Sequence, residues 1–232
     1  MNISGYRIGI LCAMESEFRI IHDAIEGMNP ERVMDCKYYI GKINNAEVVL
    51  VRCGVGKVNA AAATTVLIDH FECNLILNSG IAGGIRPTKT RDLIIADRLI
   101  YNDVDIVNFG YKYGQIPGMP EYFHINPSLL IFIKSILNGL NMDFKCGVIA
   151  SGDKFARSLD IIKDNEEGIL AVDMESTAVA QVATKAGVDF LIVRYISDIG
   201  GEESQIEKYD EFEEEMADNS AKVTLSLINA LE

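Results

Sequence analysis

The sequence predicts an α/β protein with three layers, α/β/α, around a central twisted sheet that is mixed but mainly parallel. Two observations lead to this prediction. Short apolar runs without polar alternation, such as residues 169–172 (Ile-Leu-Ala-Val) and 190–193 (Phe-Leu-Ile-Val), are typical of strands buried on both faces. Such runs alternate along the chain with helical patterns, and this alternation predicts helices packed on a parallel sheet.

The predicted elements follow in chain order. A strand at residues 7–12 leads into a helix at 15–25, where apolar side chains recur at helical spacing. Residues 37–43 and 46–51 flank the turn signal Asn44-Asn45 and are predicted to form a hairpin. The later elements are a helix at 57–71, strands at 75–78, 92–101 and 146–150, and helices at 127–140, 176–186 and 210–231.

Composition limits the classes of function. The 232 residues are predicted to form one domain, 1–232, and the formal charge of −13 argues against a nucleic-acid or anionic-membrane partner. The five cysteines are scattered without a Cys-x-x-Cys pair, as expected for reduced thiols in a cytoplasm. The first residues lack an apolar signal core, and no uncharged apolar stretch is long enough to span a membrane. We therefore expect a soluble cytoplasmic protein.

Two irregular segments are candidates for function. Ser79-Gly80-Ile81-Ala82-Gly83-Gly84 follows a buried strand, and its glycines permit close approach of a ligand to the backbone. Residues 102–123 form a long segment with five aromatic side chains and no clear period, which is typical of a functional loop. Because this loop would expose a large apolar surface on a monomer, we expect a homodimer.

Carboxylates are the side chains that predict chemistry here. Glu175 and Asp198 each follow an apolar run, so both are expected near strand ends, where open α/β sheets bind ligands. Glu15, Glu17 and Glu175 also have an ordinary interpretation, because acidic residues stabilise helix N-termini. Asp198 follows a largely apolar run, and burial there would suit a general acid. Neither a P-loop, a dinucleotide fingerprint, a histidine triad nor a metal cluster is indicated, and no cofactor is expected.

Seven ordered motifs give the chain a family resemblance. They are Ile8-Gly9-Ile10-Leu11-Cys12-Ala13-Met14-Glu15-Ser16-Glu17, Gly54-Val55-Gly56-Lys57-Val58, Ala82-Gly83-Gly84, Phe109-Gly110-Tyr111-Lys112-Tyr113-Gly114-Gln115-Ile116-Pro117-Gly118, Ser151-Gly152-Asp153-Lys154-Phe155, Val172-Asp173-Met174-Glu175 and Arg194-Tyr195-Ile196-Ser197-Asp198. With these motifs the chain resembles, essentially end to end, the 5′-methylthioadenosine/S-adenosylhomocysteine nucleosidases of the purine nucleoside phosphorylase superfamily. The resemblance implies a nucleoside phosphorylase-like fold and hydrolysis of an N-ribosidic bond, which releases adenine and a 5-thio-substituted ribose.

The resemblance also implies a role for each matching residue. Glu17 would be the base that activates water, Asp198 the acid that protonates adenine at N7, and Glu175 the carboxylate that holds the ribose hydroxyls. Phe155 would stack on adenine and Tyr209 would close the site. The other implied substrate-binding residues are Met14, Val55, Ile81, Ala82, Gly83, Ala156, Met174, Arg194 and Ser197, together with Ile106, Phe109, Tyr111 and Pro117 from the 102–123 loop, some of them in the partner's site.

The sequence departs from the family pattern at a few positions. Ile81 stands where many members have a hydroxyl residue that helps to place the water, which leaves more of that task to Glu17 and Arg194. Ala156 and Tyr209 replace bulkier aliphatic and phenylalanine residues, and one extra residue follows Asp198. The alternatives are a phosphorolytic relative and a nucleoside-binding protein. The residues do not rank methylthioadenosine against S-adenosylhomocysteine, 5′-deoxyadenosine or a futalosine-type nucleoside.

Overall fold

The computed structural model describes residues 5–155 and 168–231. The strands of the described part are β1 (Arg7–Cys12), β2 (Glu26–Val33), β3 (Cys36–Ile43), β4 (Ala46–Arg52), β5 (Leu75–Gly84), β6 (Leu93–Tyr101), β7 (Phe123–His124), β8 (Lys145–Ser151), β9 (Ile169–Asp173) and β10 (Asp189–Ile199). The α-helices are α1 (Glu15–Asp23), α2 (Lys57–Asp69), α3 (Pro127–Gly139), α4 (Ser176–Ala186) and α5 (Gln205–Ala230).

All of these strands belong to one mixed sheet, in the order β10-β6-β8-β9-β5-β1-β4-β3-β2, with β7 paired to β6. β5 is the central junction, because it pairs in parallel with β1 and β10 and antiparallel with β9. The additional β5–β10 pairing closes β5, β9, β8, β6 and β10 into a ring, and the carboxyl end of β5 pairs with β9 on one side and with the end of β10 on the other. The predicted mixed sheet is confirmed.

Helices cover both faces of the sheet, because strand residues alternate between two apolar clusters. Leu75 and Leu77 of β5 face a cluster with Phe18 of α1, Ile133 of α3 and Leu227 of α5. The intervening residue of β5 faces the opposite cluster, which includes apolar side chains of α2 and α4: Ile76, Ala63, Leu67, Val179 and Ala183. The period of two along a strand therefore gives the three-layer α/β/α arrangement that was predicted.

The structure differs from the predicted elements in three places, and the first two bear on the site. β5 continues through the glycine cluster to Gly84, whereas the sequence predicted that the strand would end at Asn78. The terminal helix begins at Gln205, five residues before the predicted start. β2 was not predicted, because Glu26–Val33 is largely exposed, contains a proline and pairs only at the edge with β3.

The segment at 102–123 contains one short 3₁₀ turn, Val107–Phe109, before β7. Its apolar side chains are unusually exposed: Phe109 is 80% exposed, and Val107 and Tyr113 are 46% and 44% exposed.

Among the residues that the structure describes, no helix is both long enough and apolar enough to cross a membrane.

Candidate active site

A cavity of about 260 Å³ opens where α1, β5, β9, β10 and the start of α5 meet. Twelve residues predicted from the sequence line it: Met14, Glu17, Val55, Ile81, Ala82, Gly83, Phe155, Met174, Glu175, Ser197, Asp198 and Tyr209. Five further residues line it that were not predicted: Ala13, Lys154, Val172, Asp173 and Gln205. The structure therefore brings residues from distant parts of the sequence together at one cavity.

Glu17 connects the start of α1 to β5. Its Oε2 accepts hydrogen bonds from the backbone N–H groups of Ala13 (2.8 Å) and Met14 (3.1 Å), and its Oε1 accepts one from Ile81 (3.0 Å). The side chain is 3% exposed, and burial raises the pKa of its carboxyl group. The positive charge of Arg194 and the three backbone hydrogen bonds oppose that rise. Glu17 therefore caps its own helix and also presents a buried carboxylate to the cavity.

Gly80 makes room for this carboxylate. A Cβ added at Gly80 would lie 2.8 Å from Cδ of Glu17 and closer still to Oε1. Ile81 then contributes its backbone N–H to Glu17, while its side chain packs with Met216 and Ala217 of α5. The glycine cluster thus allows the Glu17 carboxylate to lie close to β5, and Ile81 binds that carboxylate through its backbone N–H.

Glu175 lies between β9 and α4, at the N-cap position of the helix. Its Oε1 accepts a hydrogen bond from the backbone N–H of Gly56 (2.8 Å), and its own N–H donates to Oδ1 of Asp173 (3.3 Å). Burial and the neighbouring Asp173 charge raise the pKa of Glu175 to about 7, against an opposing effect of Arg194. The carboxyl group therefore changes its charge near neutral pH.

The turn before α2, which Gly56 joins to Glu175, is also held by two contacts of Lys57. Lys57 donates its backbone N–H to Oδ1 of Asp153 (2.9 Å), and its ammonium group pairs with Asp103 (2.5 Å). Gly56 adopts φ of +106°, a conformation that glycine accepts without steric cost. Val55 and Gly56 are thereby held between Glu175 and the segment that carries Phe155.

Asp198 is the penultimate residue of β10, where the pairing with β5 shifts between Ile196 and Asp198. This irregularity lets two consecutive residues, Ser197 and Asp198, line the same cavity, which a regular strand would not allow. Oδ1 of Asp198 accepts from the Ser197 hydroxyl (2.7 Å), and Oδ2 accepts from Nε2 of Gln205 (2.8 Å). Burial raises the pKa of Asp198, and these two hydrogen bonds oppose the rise.

Arg194 was predicted to bind substrate, but it does not line the cavity. Its guanidinium group is buried beneath it, where Nε donates to Oδ2 of Asp173 (3.0 Å) and Nη2 donates to Oδ1 of Asn78 (2.6 Å). The same Asp173 accepts hydrogen bonds from the hydroxyl groups of Ser151 and Ser176. Arg194 therefore acts on the cavity through charge, by opposing the pKa increases of the carboxylates above it.

Aromatic and sulfur-containing side chains line the more open part of the cavity. The rings of Phe155 and Tyr209 are nearly perpendicular, with centroids 5.8 Å apart. The hydroxyl group of Tyr209 lies 3.5 Å from Sδ of Met14. Three segments thus meet there: the N-terminus of α1, the loop after β8 and the first turns of α5. A flat aromatic ligand has both an apolar surface and a ring partner at this position.

The remaining predicted positions lie elsewhere. Ile106, Phe109, Tyr111 and Pro117 are not among the residues that line this chain's cavity, so a contribution from them to a partner's site stays a prediction. Ala156 lies outside the described residues. Asp173 had a signal in the Val-Asp-Met-Glu motif, since it stands beside Glu175, whereas Gln205 had none because the helix was predicted to start later.

The cavity combines several buried carboxylates with little positive charge. Glu17, Asp173, Glu175 and Asp198 line it, and Lys154 is the single lysine or arginine among its described lining residues. The carboxylates occupy different environments, because three backbone donors hold Glu17 while only side-chain donors hold Asp198. Carboxylates in different environments can supply an acid and a base in the same site.

Comparisons with known proteins agree with this architecture. A model of the phosphorylase superfamily matches residues 7–229. The 5′-methylthioadenosine/S-adenosylhomocysteine nucleosidase of Staphylococcus haemolyticus is 41% identical over 228 residues, covering 97% of this chain and 100% of that protein. The nucleosidase of the same name from Geobacillus kaustophilus is 36% identical over 230 residues, covering 97% of each.

A solved structure extends the similarity to three dimensions. The S-adenosylhomocysteine nucleosidase of Streptococcus pyogenes, crystallised in complex with 5-methylthiotubericidin, superposes with a TM-score of 0.92 at 35% identity. The match covers 97% of this chain and 98% of that one. The resemblance carried by the sequence motifs is therefore confirmed. The chain belongs to the phosphorylase superfamily and, within it, to the 5′-methylthioadenosine/S-adenosylhomocysteine nucleosidases.

Proposed function

We propose that the protein hydrolyses the N-ribosidic bond of 5′-methylthioadenosine and S-adenosylhomocysteine. Water adds to C1′ of the ribose, and the bond between C1′ and N9 breaks with its electron pair passing to adenine. The products are adenine and a 5-thio-substituted ribose. The substrates are those in the names of the relatives that match nearly the whole chain.

Each of the three carboxylates takes one task in this reaction. Asp198 donates a proton to N7 of adenine, so that the base leaves as a neutral molecule. Glu17 accepts the proton of the attacking water, and Glu175 holds the ribose hydroxyl groups. Breaking the bond builds positive charge on the sugar and negative charge on the base, so an acid at the base and anionic groups near the sugar lower the barrier.

The observation that carries the choice of water over phosphate is the charge of the cavity. Glu17 and Glu175 are 3% and 7% exposed, and Lys154 is the one cationic side chain among the described lining residues. A phosphate dianion would have to enter beside these carboxylates, and Arg194 beneath the cavity is already paired with Asp173, so little positive charge remains to compensate the dianion at low dielectric. Neutral water meets no such penalty, and a buried carboxylate can polarise it.

The other lining residues supply binding. Phe155 offers an aromatic face to adenine, Met174 packs against the sugar, and Tyr209 closes the cavity over the substrate. Val55, Ala82, Gly83 and Ser197 complete the walls, and Ile81 holds Glu17 through its backbone. Arg194 sustains the site from below through its ion pair with Asp173.

The experiment that tests this proposal compares Asp198→Asn with Asp69→Asn, a matched change at an exposed position at the end of α2. Asparagine keeps the shape of the side chain but cannot donate a proton in this way, so turnover of 5′-methylthioadenosine should fall by about 10²–10⁴-fold. The control should retain full activity. Unchanged turnover in Asp198→Asn would contradict the assigned acid role.

We also propose that the chain acts as a cytoplasmic homodimer. The 102–123 segment carries Phe109, Val107 and Tyr113 at unusually high exposure, and a second copy would cover them. Ile106, Phe109, Tyr111 and Pro117 of this segment would then line the 5′-substituent pocket, some of them in the partner's site. Five free cysteines suit a reducing compartment. Sedimentation as a monomer at micromolar concentration would contradict the dimer.

A further inference from the structure

Gln205 is a buried polar side chain that the three-carboxylate account leaves without a task. It is the first residue of α5, is 5% exposed and lines the cavity. Its Oε1 accepts the backbone N–H of Gly201 (3.3 Å), and its Nε2 donates to Oδ2 of Asp198 (2.8 Å). Because a backbone N–H can only donate, the Gly201 contact fixes the orientation of the amide and points its NH₂ group at Asp198.

The two contacts of Asp198 differ in origin. Ser197 is its neighbour in β10, so its hydroxyl group moves with the strand. Gln205 belongs to α5, and its amide is therefore the contact that joins the Asp198 side chain to another element. Tyr209 lies four residues further along α5 on the same helical face and lines the same cavity. The position of the first turn of α5 thus determines the positions of both the Asp198 and the Tyr209 side chains.

We propose that Gln205 is a positioning residue for the acid step, whose amide holds the Asp198 carboxyl group in one orientation and couples it to the docking of α5. This inference rests on the proposed function, since it assigns Gln205 a role through Asp198. A proton transfer to the leaving base depends on the direction of the donor, so a carboxyl group free to rotate would transfer its proton less often.

The same contact has a consequence for acidity. A donor that faces a carboxylate stabilises the charged form, and the Gln205 amide accordingly opposes the rise that burial causes in the pKa of Asp198. Removing the donor should raise that pKa further. The other titratable groups that line the cavity are Glu17, Lys154, Asp173, Glu175 and Tyr209. Of these, Tyr209 packs nearby on α5, where burial, with smaller contributions from the charges of Glu213, Glu17 and Asp198, raises its pKa to about 12.

The test uses Gln205→Met, which keeps the length without the donor, and Gln205→Glu, which keeps the shape but places a second carboxyl group beside Asp198. Gln181→Met is the matched control, because Gln181 of α4 accepts from the Tyr101 hydroxyl group and does not line the cavity. With 5′-methylthioadenosine, we expect kcat to fall by about 10- to 100-fold in both Gln205 variants, with little change in KM. The control should match the wild type.

The pH profile separates positioning from a general structural role. Activity requires protonated Asp198, so the basic limb of kcat/KM should move upward by about one pH unit in Gln205→Met and further in Gln205→Glu. A basic limb at the wild-type pH in both variants would overturn the inference. If Gln205→Met does not fold, the isosteric Gln205→Glu carries the same test.

A second substrate completes the design. A 5-methylthioriboside with a 4-nitrophenolate leaving group needs no protonation, so the Gln205 variants should cleave it within about twofold of the wild-type rate. An equal loss on both substrates would overturn the positioning role. Failure of the wild type to release adenine from 5′-methylthioadenosine would instead overturn the proposed function, so the two failures are distinguishable.

Discussion

Replacing Glu17 with glutamine tests the water-activating role against a measurable structural cost. The carboxylate accepts three backbone N–H groups: Ala13 and Met14 at Oε2, and Ile81 at Oε1. Glutamine has one oxygen and one NH₂ group in place of the two carboxylate oxygens. Its NH₂ group must therefore face at least one of these backbone N–H donors. The better orientation keeps the oxygen toward α1 and leaves the buried N–H of Ile81 without an acceptor.

The magnitude follows from that single lost acceptor. A buried donor without a partner costs about 1–3 kcal/mol. The neutral amide also escapes the burial cost that raises the pKa of Glu17, so the net loss of unfolding free energy should lie at the lower end, about 1–2 kcal/mol. For a chain of this size each kcal/mol lowers Tm by about 2–4 °C. Loss of the base should lower kcat by about 10²–10⁴-fold.

The assay measures adenine release from 5′-methylthioadenosine and Tm by calorimetry on the same samples. Glu15→Gln is the matched control, because Glu15 lies two residues earlier on α1 and forms an exposed ion pair with Arg52. That variant should change the unfolding free energy by less than about 0.5 kcal/mol and keep its activity. A folded Glu17→Gln protein with kcat within about tenfold of the wild type would refute the role of Glu17 as base.

Three further predictions address the rest of the site. Gly80→Ala should displace the Glu17 carboxylate and lower kcat at least about tenfold with a small change in KM, as steady-state kinetics would reveal. Glu175→Gln should lose most activity yet gain stability at neutral pH. Because the pKa of Glu175 is about 7 in the folded protein and 4.5 ordinarily, the wild type loses stability as the pH rises between these two values. Tm measured from pH 4 to 8 should therefore diverge between the two proteins across the window and run parallel above it. Arg194→Met should destabilise the fold by about 3–5 kcal/mol in urea unfolding, because Asp173 would stay buried without its cation; a loss below about 1 kcal/mol would contradict this.

Much of the fold could be predicted because local pattern and packing agree. The hairpin around Asn44 and the helix Ser176–Ala186 match the structure, since turn residues and apolar spacing point to the same answer. The end of β5 could not be predicted, because its glycines have low strand propensity. Tertiary pairing with β9 and β10 extends the strand to Gly84, where a Cβ would collide with Thr88 and Ile196.

Part of the site could also be predicted from the sequence, because local pattern and packing agree there too. Glu175 and Asp198 could be placed near strand ends from their apolar neighbours. Glu17 caps its helix, as the ordinary interpretation predicted, and it also lines the cavity. The burial of Arg194 beneath the cavity and the contact of Gln205 with Asp198 arise from tertiary packing alone. No local spacing in the sequence encodes either contact.

The measurement that most directly tests the central claim is product analysis by mass spectrometry in ¹⁸O-labelled water. The purified protein is incubated with 5′-methylthioadenosine in two buffers, one with phosphate and one without. A hydrolase that uses water activated by Glu17 predicts adenine and methylthioribose carrying one ¹⁸O atom, at the same rate in both buffers. Methylthioribose 1-phosphate formed only in the phosphate buffer, or no cleavage at all, would contradict the account.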